Sequence, residues 1–244
     1  MYRLMMMTFS LIAVVLVNVA ANIMPFNGST TGEIANRLPV LFIPAGYAFI
    51  ILAFIYGMLA LWLVGFWQNK AAVSPTLQNL RTALFGLSCL LNIAWIVLWH
   101  LNEFNWTIIV SGMLLLTLLG LYFTYSKQNN RLLERVPIAI YLGWIFVGVI
   151  INISYVLTLN EWSGWGLSDP LWTVIYLTFA TAIALHFLYH HADIALSTVF
   201  IWAFIGIAVK NGVDELFVSA AALFLTAAIG TVIFFTRKQL TSTK

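Results

Sequence analysis

The sequence predicts an all-α polytopic membrane helix bundle with about eight transmembrane helices. Composition is the first observation: 62% of the 244 residues are hydrophobic and 8% are charged, whereas a typical soluble domain has about 25% charged residues. A chain so poor in charge is stable when lipid, rather than water, surrounds it. The second observation is that eight segments approach the ~20 apolar residues that cross the hydrocarbon core of a bilayer.

The predicted spans follow one another along nearly the whole chain. The first five cover 4–23, 43–67, 82–101, 106–125 and 137–159, and the last three cover 170–189, 194–210 and 216–236. A polar run at 126–131 separates the fourth span from the fifth. Ser168 and Pro170 are typical of a helix N-cap and first turn, so they predict the start of the sixth span. The seventh span is the shortest and ends at Lys210.

The first span has a second interpretation. Arg3, an apolar run and the pair Ala20-Ala21 also resemble a cleavable signal peptide. The apolar run of about 20 residues is longer than the ~7–15 residues usual in a signal peptide. Its length therefore favours a retained transmembrane helix.

The cationic residues predict that both termini lie in the cytoplasm. If the helices alternate in direction, Arg37 and Lys210 fall on the outer side. The other nine fall on the inner side: Arg3, Lys70, Arg81, Lys127, Arg131, Arg135, Arg237, Lys238 and Lys244. Such an asymmetry follows the positive-inside rule. Removing one helix would destroy it, so the charges favour eight spans over seven.

The scarcity of polar chemistry excludes several function classes. No Asp, Glu, Lys or Arg lies near the middle of a predicted span, which argues against a proton-coupled pump or a channel with charged rings. Paired carboxylates for acid–base catalysis are missing too, so we expect no enzyme. Without a Lys/Arg cluster, nucleic acid is not an expected partner. The expected partners are the lipid bilayer and an apolar small molecule.

Histidines near the end of the sixth span form the one group that resembles a ligand set. His186 and His190 are four residues apart and share a helix face, and imidazole is a common metal ligand. The alternative is that these side chains anchor the helix end at the membrane interface. We favour the interface and expect no metal site.

Tryptophans and asparagines are the more informative residues. Five indoles lie near predicted span ends, where an interfacial belt is expected: Trp67, Trp106, Trp162, Trp165 and Trp172. Others lie deeper, and an indole N–H buried there needs a partner. Asn92 precedes Trp95 by three residues and Asn152 follows Trp144 by eight. Such pairs predict either helix–helix hydrogen bonds or a pocket wall with a few polar groups, and the residues alone favour packing.

Three motifs resemble a known family. Residues 42–49 read Phe-Ile-Pro-Ala-Gly-Tyr-Ala-Phe and are followed by Ile55-Tyr56. The third span contains Leu91-Asn92-Ile93-Ala94-Trp95, and the fifth contains Tyr141 and Trp144, with Asn152 and Asn160 at two further intervals of eight. With these motifs, residues 1–160 resemble the tryptophan-rich sensory proteins, the bacterial TspO and mitochondrial translocator family.

The resemblance implies a five-helix unit over 1–160, with three additional helices over 161–244 packed on it in one membrane domain. It implies a pocket for an apolar, tetrapyrrole-like ligand such as porphyrin or haem, with no obligatory cofactor, in a bacterial cytoplasmic membrane protein that can form a homodimer. The implied ligand-binding residues are Tyr47, Phe49, Asn92, Trp95, Trp99, Tyr141, Trp144, Gly148 and Asn152. With the resemblance added, the pocket becomes the preferred interpretation of the asparagines and tryptophans.

The departures from the family pattern limit what the resemblance implies. Leu52 and Tyr47 stand where the family has tryptophan, and no basic residue lies between Tyr155 and Glu161, so sterol binding is not expected. We expect a ligand-binding sensor or regulator. A transporter or flippase is the first alternative, because Leu171–Tyr176 echoes the motif at 42–49, and a membrane enzyme using the histidines is the second.

Overall fold

A computed structural model describes residues 1–24, 26–126 and 130–242, with side chains to Lys238 in the last helix. Within these residues all regular structure is helical, and eight helices are long and apolar enough to cross a membrane. The predicted all-α membrane fold is therefore confirmed. Lys127 and Lys244, two of the residues in the predicted charge asymmetry, lie outside the described residues.

Nine α-helices occur in the described part of the chain. In order they are α1 (Tyr2–Ile23), α2 (Thr31–Ala35), α3 (Ile51–Gln68), α4 (Pro75–His100), α5 (Phe104–Phe123), α6 (Arg135–Leu159), α7 (Asp169–His191), α8 (Ile194–Asn211) and α9 (Leu216–Ser242). Short 3-10 turns cover Gly46–Ile50 and Gly164–Gly166. All the α-helices except α2 belong to candidate spans, and the span of α3 includes the turn before it.

Two predicted helix starts are wrong. The third span begins at Pro75 instead of 82, because Ser74 caps the helix by accepting a hydrogen bond from the Leu77 N–H and the proline occupies the first turn. Hydropathy did not identify this start because the first turns of the helix are polar. In the second span, residues 46–50 form a 3-10 turn and the Ala45 N–H donates to Gly206 O in α8, so the α-helix begins at Ile51 instead of 43.

Arg81 consequently lies inside α4 and not in a loop. The side chain is buried, and its Nε donates to Thr124 Oγ1 (3.0 Å) and its guanidinium to Thr124 O (2.8 Å). The guanidinium carbon also lies 3.6 Å from the centre of the Tyr125 ring. These contacts satisfy a charged group near a helix end, where long cationic side chains anchor a span.

The helices form two compact units. The first contains Met1–Arg37 and Ile51–Asn152, and in it α4 packs against α1 and α5 while α1 packs against α3. The second contains Leu38–Ile50 and Ile153–Lys244, and in it α7, α8 and α9 pack against one another. The units thus divide α6 after Asn152. The division predicted at residue 160 came from the family resemblance and stays a prediction.

In the second unit, α8 holds the irregular segment that precedes α3. Trp202 Nε1 donates to Ala48 O (2.8 Å), and Asn211 Nδ2 donates to Leu41 O (2.9 Å). Gly206 O accepts from the Ala45 N–H (2.9 Å). Non-helical backbone needs protein partners wherever water is excluded by lipid. Helix α8 supplies these partners from three successive turns.

The short helix α2 begins with a reciprocal cap. Thr30 Oγ1 accepts from the Glu33 N–H (3.2 Å), and Glu33 Oε2 accepts from the Thr30 N–H (2.7 Å). These are the two bonds of a capping box. The hydrogen bond from the Thr30 backbone holds the pKa of the Glu33 carboxyl below its ordinary value, and the Thr30 side chain has a smaller effect in the same direction.

We expect α2 to fray in acid. Because the pKa of Glu33 is lower when the cap is formed, the cap's stabilisation is present above the ordinary pKa of 4.5 and is lost as the pH falls through the lowered pKa. The loss would appear as lower protection factors for amides 31–35, that is, as exchange rates corrected for the slower intrinsic exchange in acid. A Glu33→Gln variant keeps a capping side chain that does not titrate. If that variant frays over the same pH range, another group is responsible.

Candidate ligand-binding site

Seven of the nine implied ligand-binding residues lie on stripes of two helices in the first unit. Asn92, Trp95 and Trp99 follow one another on α4 at spacings of three and four, so they share one face. Tyr141, Trp144, Gly148 and Asn152 do the same on α6, at spacings of three, four and four. The stripes bring the residues of the two sequence motifs together.

Two hydrogen bonds join the stripes across the helices. Asn92 Nδ2 donates to Tyr141 Oη (3.1 Å), and Trp95 Nε1 donates to Asn152 Oδ1 (3.2 Å). The sequence spacing had grouped Asn92 with Trp95, and Asn152 with Trp144. In the structure each asparagine instead bonds to an aromatic side chain of the facing helix. The predicted hydrogen bonds between helices are thus present, but the residues that they pair differ from those grouped by sequence spacing.

Asn152 is the polar centre of this contact. The residue is 1% exposed, and its Oδ1 also lies 3.0 Å from Thr107 Oγ1 on α5. An indole N–H can only donate, so the bond from Trp95 requires the amide oxygen, not the nitrogen, at this position. Asn152 Nδ2 then remains buried without a hydrogen-bond partner. A buried donor of this kind is costly and needs an explanation.

Open space lies beside the half-buried Gly148 of α6, one turn before Asn152. A Cβ atom placed on Gly148 would meet no heavy atom within 4 Å, apart from the backbone of its own helix turn and its chain neighbours. Trp144, on the same stripe, is only 5% exposed. On α4 the Trp95 and Trp99 rings stack, with centroids 5.2 Å apart and planes 18° apart. Aromatic walls around a few polar groups are typical of small-molecule sites.

A chain of polar groups extends from this site, and the sequence analysis did not find all of it. Asn18 on α1 donates to Asn92 Oδ1 (3.1 Å) and so adds a third residue to the hydrogen-bonded pair of Asn92 and Tyr141. The Tyr56 hydroxyl on α3 is also buried without a hydrogen-bond partner. Asn18 could have been noticed as a polar residue inside an apolar span. Thr107, in contrast, carries no signal that separates it from other threonines.

Tyr47 and Phe49 belong to the second unit. Both lie in the 3-10 turn Gly46–Ile50, where Tyr47 is 44% exposed and its ring centroid lies 5.7 Å from that of Trp202. Their membership of a ligand site stays a prediction.

The histidines at the end of α7 make a close pair. The rings of His186 and His190 have centroids 4.6 Å apart, and both side chains are exposed. Within the described residues, no group of three or more His, Cys, Asp and Glu side chains is placed to hold a metal ion. Whether the pair anchors a helix end or binds a ligand stays an open prediction.

Two cavities lie away from the seven residues. The larger, of about 420 Å³, is in the first unit near the start of α4, and Lys70, Gln78, Arg81 and Glu134 contribute to its polar lining. The smaller, of about 230 Å³, is in the second unit. None of the nine implied ligand-binding residues lines either cavity.

Comparison with known proteins agrees with the motifs. The family model for the TSPO-like protein matches residues 4–235, from α1 into α9, and so includes the three helices beyond the five-helix resemblance. No curated protein matches the chain, and neither does any solved structure. Because the family match covers nearly the whole chain and all eight candidate spans, the protein is an integral membrane protein that belongs to the TSPO-like protein family.

Proposed function

We propose that the protein is a membrane sensor or regulator that binds a large apolar, tetrapyrrole-like ligand between α4 and α6. One observation carries the proposal: the buried Asn152 Nδ2 has no hydrogen-bond partner and lies one turn from the open space at Gly148. A bound ligand explains both features, because an acceptor on the ligand takes the N–H and its apolar body fills the space.

The chemistry of the walls suits a flat aromatic ligand. The half-buried Trp95 ring, which stacks on the buried Trp99, offers a π surface to a ligand, and the buried Trp144 lies on the stripe of the facing helix. Offset stacking on such rings adds to the free energy of apolar burial. A carboxylate or carbonyl at the ligand's edge would accept from Asn152 Nδ2. The proposal therefore involves binding and orientation and no catalytic step.

We also propose that both termini lie on the cytoplasmic side of a bacterial cytoplasmic membrane. Eight spans return the chain to the side on which it started. The side that would carry Arg3, Lys70, Arg131, Arg135 and Arg237 is strongly cationic compared with the side that would carry Arg37 and Lys210. A cysteine-accessibility experiment with a membrane-impermeant reagent at introduced sites near 30 and 70 tests this topology.

Replacing Gly148 by leucine should weaken ligand binding without weakening the fold. A Cβ at Gly148 meets open space, so the new side chain occupies the proposed ligand volume. Removing a helical glycine also gains about 0.5–1 kcal/mol of helix stability. We expect the affinity for protoporphyrin, measured by tryptophan quenching in detergent, to fall at least tenfold, with an unchanged or raised midpoint of thermal unfolding.

Gly57→Leu is the matched control. Gly57 is also a helical glycine with open space around its Cβ position, but it is exposed on α3. This variant should bind protoporphyrin as the original protein does. If Gly148→Leu and Gly57→Leu bind equally well, or if the original protein shows no saturable binding, the stripes serve packing alone and the proposed function is wrong.

A further inference from the structure

The smaller cavity, in the second unit, has a chemistry different from that of the proposed tetrapyrrole site. It lies between the end of α6 and the start of α7, beside residues 39–41. Aromatic rings, carboxylates and hydroxyls line it together: Trp162, Trp172, Tyr176, Glu161, Asp169, Ser154, Thr158 and Thr173. Its volume is about 230 Å³.

The aromatic residues form one cluster. Trp172 is in its middle, with its ring centroid 4.9 Å from that of Trp162 and 5.8 Å from that of Tyr176. Trp162 and Trp172 are among the indoles predicted to form an interfacial belt, and in the structure their rings contact each other. An interfacial belt requires only that each indole lie at the headgroup level. Mutual packing around a cavity goes beyond that requirement.

The loop before α7 is shaped to hold this cluster. Trp172 Nε1 donates to Gly164 O (2.8 Å), and a Cβ on Gly164 would lie 3.1 Å from the same nitrogen. Gly164 has φ +61°, and the neighbouring Trp165 has φ +53°, in the left-handed region that large side chains rarely adopt. This uncommon backbone conformation occurs where the loop holds the Trp172 indole by a hydrogen bond.

The charged residues that line the cavity are all acidic. Glu161 and Asp169 both line it, and its lining residues include no Lys, Arg or His. The buried Ser154 hydroxyl lies beside the Tyr176 hydroxyl without reaching hydrogen-bonding geometry. Negative charge beside aromatic faces attracts a cation, and the ring quadrupole favours one that is easily stripped of water. A metal ion would find only two carboxylates here, and within the described residues no group of three or more His, Cys, Asp and Glu side chains is placed to hold one.

We propose that this cavity binds the quaternary ammonium group of a small organic cation. The aromatic rings contact the methyl groups, and Glu161 and Asp169 balance the charge. The group can come from a soluble compound such as choline or from the headgroup of a phosphatidylcholine lipid. The chemistry of recognition is the same for both sources. This site is distinct from the proposed tetrapyrrole site and does not depend on it.

Ligand-observed saturation-transfer NMR with tetramethylammonium chloride tests the proposal. The full chain in maltoside micelles, at constant ionic strength, should give a saturable transfer signal. A Glu161→Gln/Asp169→Asn double variant should weaken the affinity at least tenfold. Glu103→Gln, which removes an exposed carboxylate before α5 in the first unit, should leave the affinity unchanged. Equal affinity in the double variant and the original protein would overturn the proposal.

A neutral isostere provides a test that needs no variant. 3,3-Dimethyl-1-butanol has the shape of choline without its charge, and it should bind at least tenfold more weakly than choline. Equal binding of choline and the isostere, or no saturable binding of choline and tetramethylammonium, would overturn the proposal. Nanodiscs then distinguish the sources. If phosphatidylcholine discs suppress tetramethylammonium binding and phosphatidylglycerol discs do not, the lipid headgroup is the ligand; binding in both identifies a soluble cation.

Discussion

Replacing Gly206 by alanine should lower the free energy of unfolding by about 1–3 kcal/mol, the usual cost of inserting atoms into a packed core. The added Cβ would lie 2.8 Å from Pro44 Cβ and 3.0 Å from Ala48 Cβ. Backbone and short side chains surround this position, and neither can rotate away. The segment would have to move from α8, and that movement lengthens the hydrogen bond from Ala45 N–H to Gly206 O.

The expected loss is unusual because alanine is the better helix former. In a helix interior, replacing glycine by alanine normally gains about 0.8–1 kcal/mol. Gly230→Ala provides the matched control: Gly230 lies within α9 of the same unit, and a Cβ there meets nothing within 4 Å. Unfolding monitored by circular dichroism in mixed micelles should therefore shift in opposite directions for the two variants. A stabilised Gly206→Ala variant would contradict the close packing of α8 on residues 44–48.

Hydropathy was sufficient to predict the eight spans because each must bury about 20 residues in hydrocarbon. It failed at boundaries where the chain departs from that rule. The first turns of α4 are polar, and α4 continues through the buried Arg81, whose partner Thr124 is distant in sequence. The start of α3 was misplaced because the irregular residues before it are apolar, and their hydrogen-bond partners on α8 follow some 160 residues later.

The candidate site could also be predicted only in part, because helical spacing shows which side chains share a face of one helix. Helical spacing places Asn92, Trp95 and Trp99 on one face, and Tyr141, Trp144 and Asn152 on another. Spacing does not reveal which faces meet or at what height, so the Trp95–Asn152 and Asn92–Tyr141 pairs needed the structure. Nor does it reveal that Asn152 keeps an unpaired N–H, since that depends on the indole fixing the orientation of the amide.

Replacing Asn152 by leucine should have the largest combined effect on stability and binding. The substitution leaves the Trp95 indole N–H without an acceptor, and an unsatisfied buried donor costs about 1–3 kcal/mol. Thr107 is less affected, because its hydroxyl also reaches Phe104 O at 2.6 Å. The proposed donor to the ligand disappears with the amide. Protoporphyrin affinity should therefore fall at least tenfold while the unfolding midpoint also falls.

Two comparisons separate these effects. Asn160→Leu makes the same change just beyond α6, where the exposed Asn160 side chain donates to Val156 O one turn earlier, and it should leave both binding and stability nearly unchanged. Trp95→Phe combined with Asn152→Leu removes both partners and should recover part of the lost stability, because no indole N–H is then left unpaired. Interhelical hydrogen bonds in membranes have coupling energies of about 0.6–1.7 kcal/mol.

Binding should not recover in that double variant. The aromatic wall is retained in part, but the Asn152 N–H, which the proposal assigns to the ligand, is still missing. Recovered stability, with protoporphyrin binding still weaker than in Trp95→Phe alone, would therefore separate the two roles of Asn152: its oxygen holds α4 and α5 to α6, and its nitrogen recognises the ligand. If stability and affinity recover together, the asparagine acts only by positioning the helices, and the unpaired N–H has no part in recognition.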